Sequence, residues 1–442
     1  MKRLLLGIIL TITVILMGCT SSEKTFPNQD NSGTALNKGT VVELSFTTAY
    51  VADATGTIPS TRHMNVYLPY NYDQQAEATY PVVYLLHGYG GDYNTWVSRY
   101  KINDVLDLMI ANGEIDPSIV VMPDGSNPVM FQGMSNGGGF YANSVLDPTY
   151  QTPIAQNAAF GLFEFYMVGD PTQALGVDPN SVIGWFENFS DYADYVDKTK
   201  RTIAGHSMGG YGAMMLTVKY PSLFNATASM SAPLAFENFF EDDAEYQVDI
   251  LDRFKYVELP QVVDSLQVAP GVFIKYFNPE KLSIYTPLSA IMYTLSTMFS
   301  PVVKDSTTYD LSYEVPLQAV GGPLKIGAQL PVDITGEVKT EVKTRWLTYY
   351  DVYTLVDANS SVLNDEHLFI DCGINDVTDP MVSMDGAGFG IIYHVRDFHQ
   401  LLMDKGIAHE YEEYSGNHSN EIYYRVQKAL KYLDQNKVRP LM

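Results

Sequence analysis

Residues 205–209 read Gly205-His206-Ser207-Met208-Gly209, between a β-like run, Arg201–Ala204, and a helical stretch that opens Gly210-Tyr211-Gly212-Ala213. A serine at a strand-to-helix turn can act as a nucleophile when the turn is tight enough to lift Oγ clear of the sheet. Glycines on both sides permit the backbone crowding that such a turn imposes. A serine hydroxyl also needs a base to take its proton and a third group to orient that base. A second match, Gly133-Met134-Ser135-Asn136-Gly137, lies beyond Pro128, runs into two further glycines and starts no helical period. Ser135 therefore reads as a loop residue.

The chain has eight histidines from which to choose the base. His63, His87 and His206 precede or adjoin the serine, and His367 opens an apolar strand-like run. His394 and His399 fall within an amphipathic helical stretch, Ile391–Asp404, where an imidazole is a helix-face residue. His409 opens the alternating strand His409–Tyr414 and reads as structural. His418 follows that strand on the turn Ser415-Gly416-Asn417, before a new helix, where a general base has room to work. For the acid, His367–Cys372 reads as a buried strand and Gly373-Ile374-Asn375-Asp376 as the loop leaving it. Asp376, past the carboxyl end of the strand, is best placed to orient His418. Asp371 and Asp379 are the alternatives, with capping or loop solvation as their other role. Upstream, the apolar strand Tyr80–Leu86 runs into His87-Gly88-Tyr89-Gly90-Gly91-Asp92. The backbone N–H groups of Tyr89 and Met208 are the expected oxyanion donors, with His87 bracing the loop. Serine, then acid, then histidine is the chain order of α/β-hydrolases.

The elements that must position these residues follow from periodicity. A hairpin of Thr40–Tyr50 and Met64–Leu68 precedes strands at Val82–Leu86, Ile119–Met122, Thr202–Ala204, Thr227–Met230, Leu368–Ile370 and Glu410–Tyr414, with helices including Met208–Tyr220 and Asn420–Gln435. Alternating strands and helices predict a doubly wound, mostly parallel sheet. Residues 234–366 form a large insertion before the acid strand, with an apolar helical run, Pro287–Val303, and an alternating run, Lys325–Thr344. Its place on the active-site side suits a lid, and packing is the other reading.

Several blocks together are similar to the Putative esterase family of the α/β-hydrolase superfamily, which includes esterase D, feruloyl and acetyl-xylan esterases, and the antigen 85 mycolyltransferases. They are Pro81–Gly88, Val120–Gly125, Phe140–Ser144, Ala204–Ala213, Asp371–Asp376 and Gly416–Ser419. The resemblance runs from about residue 40 to 436, with extra sequence at 145–183 and between Pro233 and Glu366, and is to bacterial secreted members. It implies Ser207 as nucleophile, Asp376 as acid, His418 as base, and Tyr89 and Met208 as oxyanion donors. It also implies an acylated carbohydrate, bearing acetyl or feruloyl groups, as substrate.

Lys2 and Arg3 precede the apolar run Leu4–Met17, which ends Leu16-Met17-Gly18-Cys19. This reads as a signal peptide, residues 1–18, whose end looks like a lipobox, with cleavage before Cys19 and lipid attached to its sulfur. Residues 19–38 then form a flexible tether rich in Ser, Thr, Asn and Gly, and 39–436 the catalytic domain. The expectation is an exported protein, lipid-anchored to a bacterial membrane and facing the periplasm or cell surface. With 51 acidic against 27 basic residues, net −24, nucleic acid is excluded as a partner. A lipidated Cys19 leaves Cys372 without a disulfide partner, and no His/Cys spacing suggests a metal site or a cofactor. The sequence predicts a serine carboxylic-ester hydrolase working through an acyl-enzyme. An acyltransferase using the same residues and a non-catalytic binding protein on this scaffold are the alternatives.

Overall fold

The computed structural model describes residues 37–51, 60–73, 78–127, 137–146, 158–172, 175–240, 254–278, 281, 287–305, 324–333, 335–377 and 390–438. The N-terminal segment with Cys19, the Ser135 motif and Asp379 lie outside the described residues. Eight strands form the central sheet: β1 Thr40–Thr48, β2 Ser60–Leu68, β3 Tyr80–Leu86, β4 Ile119–Pro123, β5 Val196–His206, β6 Ala226–Met230, β7 His367–Gly373 and β8 Glu410–Tyr414. Their order is β1-β2-β4-β3-β5-β6-β7-β8. β1 and β2 pair antiparallel, as do β2 and β4, and every pairing from β4 to β8 is parallel. This is the sheet of an α/β-hydrolase. Every residue of β3 and β4 is buried, as parallel strands covered on both faces require.

The helices of the fold include α1 Ile102–Ala111, α2 Met208–Lys219, α3 Pro287–Phe299, α4 Thr340–Tyr350, α5 Ile391–Lys405 and α6 Ile422–Gln435, of which α2, α5 and α6 pack on the central sheet. Helix α2 is buried from Met208 to Val218, with only Lys219 at its end reaching outward. One apolar layer joins α2, α3 and α5, and the other joins α1 and α6 through Val105, Leu106, Val426 and Leu430. Among the described residues, no helix is long and apolar enough to cross a membrane.

Between β6 and β7 the structure departs from the expected alternating run Lys325–Thr344. Leu324–Ala328 is a strand, but Thr340 begins α4. Val342, Trp346 and Tyr350 are its buried residues, and their spacing of four fits one helical face. The local alternation of polar and apolar residues competes with that longer period and loses to it.

Two glycines set how closely α2 can approach the sheet. A Cβ on Gly209 would stand 2.3 Å from the Leu86 carbonyl oxygen of β3, and one on Gly205 would stand 2.2 Å from the backbone of Gly209. Backbone cannot yield as a side chain tip can, so the contact tolerates hydrogen only. Gly209→Ala is expected to cost about 3 kcal/mol, read as a drop in the denaturant midpoint at unchanged slope.

His394, on α5, is buried against the Phe239 ring at 4.6 Å. Burial pushes its pKa down to about 3. The unfolded chain therefore binds a proton near pH 6.5 that the folded chain refuses, and stability is lost as pH falls below 6.5. From this residue alone the loss between pH 7.5 and pH 5 is about 2 kcal/mol. Chemical denaturation at the two pH values should show His394→Leu losing correspondingly less than the parent chain.

Candidate active site

Ser207 joins β5 to α2 with φ 58° and ψ −120°, backbone that a side chain tolerates only when its surroundings hold it there. Two hydrogen bonds do so. The Ser207 N–H donates to the Met230 carbonyl at 2.8 Å, and its own carbonyl accepts from the Tyr211 N–H at 2.9 Å. The turn leaves Oγ half-buried, 2.8 Å from His418 Nε2. On the other side of the imidazole, Nδ1 lies 2.7 Å from Asp376 Oδ2. A carboxylate can only accept, so Nδ1 carries the proton and Nε2 is free to accept from the serine. Asp376 is wholly buried. Its Oδ2 also accepts from the Cys372 thiol at 3.6 Å, and burial pushes that thiol well above its ordinary pKa.

Sheet register brings Asp376 and His418 together across the chain. β7 and β8 pair so that Gly373 faces Tyr414, and their exit loops leave the sheet side by side. Ile374 N–H donates to the Tyr414 carbonyl at 3.0 Å, and Asn375 N–H to the Gly416 carbonyl at 2.9 Å. A Cβ on Gly373 would stand 2.3 Å from the Gly416 oxygen, so glycine is required where the loops cross.

The expected oxyanion donors lie beside the serine. A Cβ on Gly88 would meet Ser207 Cβ at 3.4 Å, and one on Gly138 would meet both Met208 Sδ and the Tyr89 ring. The first N–H groups of a helix have no partner within it, which leaves Met208 N–H available to a ligand. His87 accepts from Gly125 N–H through Nε2 at 2.8 Å and donates from Nδ1 to the Gly88 carbonyl at 2.9 Å. Burial lowers its pKa and keeps it neutral, as that pattern requires. It braces the loop. The Tyr89 hydroxyl meets Thr294 Oγ1 of α3 at 3.1 Å, so the segment between β6 and β7 packs directly on the loop after β3.

The other candidates are placed elsewhere. Asp371 lies inside β7 and receives two hydrogen bonds from Arg425, at 2.6 and 3.1 Å, leaving Asp376 to face the histidine. His409 Nε2 lies 2.7 Å from His399 Nδ1, and His63 lies 3.0 Å from Glu43. Among the described residues, no group of three or more His, Cys, Asp or Glu is arranged to hold a metal.

Sequence reasoning missed Arg425 and the partner of His206. Arg425 is fully buried and donates through Nη1 to the His418 carbonyl at 3.3 Å, and His206 Nε2 lies 2.8 Å from the same oxygen. A signal existed. Ile422, Val426, Ala429 and Leu433 define the buried face of α6, and Arg425 falls on it at i+3, where a charge needs a buried partner.

A family described as Putative esterase matches residues 55–151 and 187–427. Among curated proteins, the chain is 29% identical over 195 residues to an endo-1,4-beta-xylanase/feruloyl esterase of Xylanibacter ruminicola, covering 43% of this chain and 21% of that protein. It is likewise 29% identical over 178 residues to an esterase of Mycobacterium tuberculosis, covering 40% of this chain and 30% of that protein. The chain thus matches less than a third of the length of these relatives. Among solved structures, a ferulic acid esterase is similar at 17% identity and TM-score 0.47, covering 90% of this chain and 99% of that one. The family match spans most of the chain on both sides of the serine turn and takes in Ser207, Asp376 and His418: the chain belongs to the Putative esterase family.

Proposed function

We propose that the chain is a serine carboxylic-ester hydrolase in which Ser207, His418 and Asp376 form the catalytic triad. The observation that carries this reading is the unbroken line from Ser207 Oγ through the two ring nitrogens of His418 to Asp376 Oδ2, at 2.8 and 2.7 Å. Ser207 Oγ attacks the ester carbonyl carbon while His418 Nε2 takes its proton. The oxyanion is held by the N–H groups of Tyr89 and Met208. His418 then returns the proton to the leaving alkoxide as the carbon–oxygen bond breaks, leaving an acyl-serine. Water, activated by the same imidazole, releases the acid. Asp376 keeps the proton on Nδ1 throughout and stabilises the imidazolium.

The substrate is an ester of a carbohydrate, with feruloyl or acetyl as the acyl group. Membership of the esterase family and a relative named as a xylanase and feruloyl esterase support this. Export and lipid anchoring through Cys19 rest on Lys2, Arg3, the apolar run Leu4–Met17 and the sequence Leu16-Met17-Gly18-Cys19.

The test is hydrolysis of p-nitrophenyl acetate, butyrate and octanoate, and of methyl ferulate, by the full chain. Ser207→Ala should lower kcat by about 10⁴-fold or more. Tyr89→Ala should be far milder, because Tyr89 contributes a backbone N–H that alanine keeps, whereas loss of such a donor costs about 3 kcal/mol. A folded parent chain inactive on all four esters would overturn the hydrolase reading.

A further inference from the structure

Beneath the proposed triad lies a buried layer that this mechanism does not use. Arg425 is its centre. The guanidinium is fully buried on α6, lies over the Tyr414 ring at 4.5 Å and is held by both oxygens of Asp371. Its remaining N–H groups point two ways. Nη1 donates to the His418 carbonyl at 3.3 Å, and Nη2 donates to Ser231 Oγ at 2.9 Å. The Ser231 hydroxyl donates a hydrogen bond to Cys372 Sγ at 3.6 Å, and the Cys372 thiol donates to Asp376 Oδ2, also at 3.6 Å. One planar cation thus touches the base through its backbone and reaches the acid through two intervening side chains.

The His418 carbonyl has a second donor, His206 Nε2, at 2.8 Å. A carbonyl can only accept, so the His206 proton sits on Nε2. His206 is fully enclosed, and burial, with His418 and Arg425 nearby, holds its pKa well below the ordinary value. Both lone pairs of the His418 carbonyl are used, one by the residue before the nucleophile and the other by the helix that follows the base. The base is otherwise on a loop, Ser415–Glu421, with no regular structure of its own. A loop position must be fixed from outside if the imidazole is to stay within reach of Oγ.

We propose that Arg425, held by Asp371, and His206 are positioning residues for the reaction: together they clamp the His418 carbonyl, and Arg425 also sets Asp376 through Ser231 and Cys372. None of them touches substrate. The assignment rests on the triad reading above, and it turns the Asp371–Arg425 pair from a buried ion pair into part of the catalytic support. Lysine cannot replace arginine here, because one ammonium cannot span Asp371, Ser231 and the His418 carbonyl in a single plane.

The experiment compares the full parent chain with Arg425→Lys, the paired change Asp371→Leu with Arg425→Met, His206→Phe and His206→Gln. The paired change leaves no lone buried charge, so it tests the clamp even if Arg425→Lys does not fold. Steady-state kinetics with p-nitrophenyl acetate are normalised to sites titrated by a fluorophosphonate, which removes misfolded protein from kcat. Arg425→Lys, the paired change and His206→Phe should each lower kcat per site by about 10- to 100-fold with KM within about twofold, since a base displaced by a fraction of an ångström loses chemistry before it loses binding. Their labelling rate by the fluorophosphonate should fall in parallel. His206→Gln, whose amide can supply an N–H near the same place, should recover most of the loss.

Parent-like kcat per site in His206→Phe and the paired change would overturn the clamp while leaving the triad standing. So would a fall confined to the number of titratable sites, which would make the layer structural only. A parent chain that is neither active nor labelled would overturn both readings.

Discussion

The backbone at Ser207 is the constraint on which the rest of the molecule is arranged. A residue with a side chain at φ 58° and ψ −120° is unfavourable by itself, by roughly 1–3 kcal/mol, and persists because its neighbours over-determine it. β5 must stop and α2 must start within one residue, so the two elements cross closely enough that Gly205 and Gly209 touch backbone to backbone. β3 must lie near enough for Leu86 to contact Gly209, and that places the loop after β3 over the serine. Ser207 Oγ, the Met208 amide and the loop carrying Tyr89, which the proposed mechanism uses together, therefore share one origin. Relaxing the turn would move all three together.

The proposed acid and base are fixed by a different device, the parallel pairing of β7 with β8. Parallel neighbours end at the same edge of a sheet, so their loops emerge side by side however far apart they lie in sequence. Asp376 and His418 are 42 residues apart and meet at 2.7 Å. Neither device depends on the long segment between β6 and β7. Through Thr294 that segment nevertheless reaches Tyr89 of the loop after β3, so variation there can reshape the surroundings of the proposed oxyanion site without touching the proposed triad.

What was legible in the sequence was what local signals encode. The serine turn is written in glycines within five residues, and the strands of the sheet are written in short apolar runs closed by turn residues. His418 and Asp376 could be chosen because each follows such a run. The supporting layer was not legible in the same way. Nothing near Asp371 says that its partner is 54 residues ahead, and nothing near His206 says that it meets a carbonyl 212 residues away. Those pairings exist only once the sheet order is known. The one local trace, an arginine on the apolar face of α6, names a residue that needs a partner without naming the partner.

Asp371 and Asp376 show how position alone separates two carboxylates five residues apart. Asp371 is in the strand, where its side chain must leave one face of the sheet, and it meets the arginine of the helix covering that face. Asp376 is past the strand, where the chain turns back at Gly373 through a 3.0 Å hydrogen bond and carries the side chain toward the β8 loop. A carboxylate neutralised by a guanidinium two hydrogen bonds deep has little left to offer an imidazole, whereas one whose neighbours are a thiol and a histidine can stabilise the imidazolium that the proposed mechanism forms at His418. The charge on Asp371 holds the arginine that the proposed clamp needs, which leaves the charge on Asp376 to the histidine.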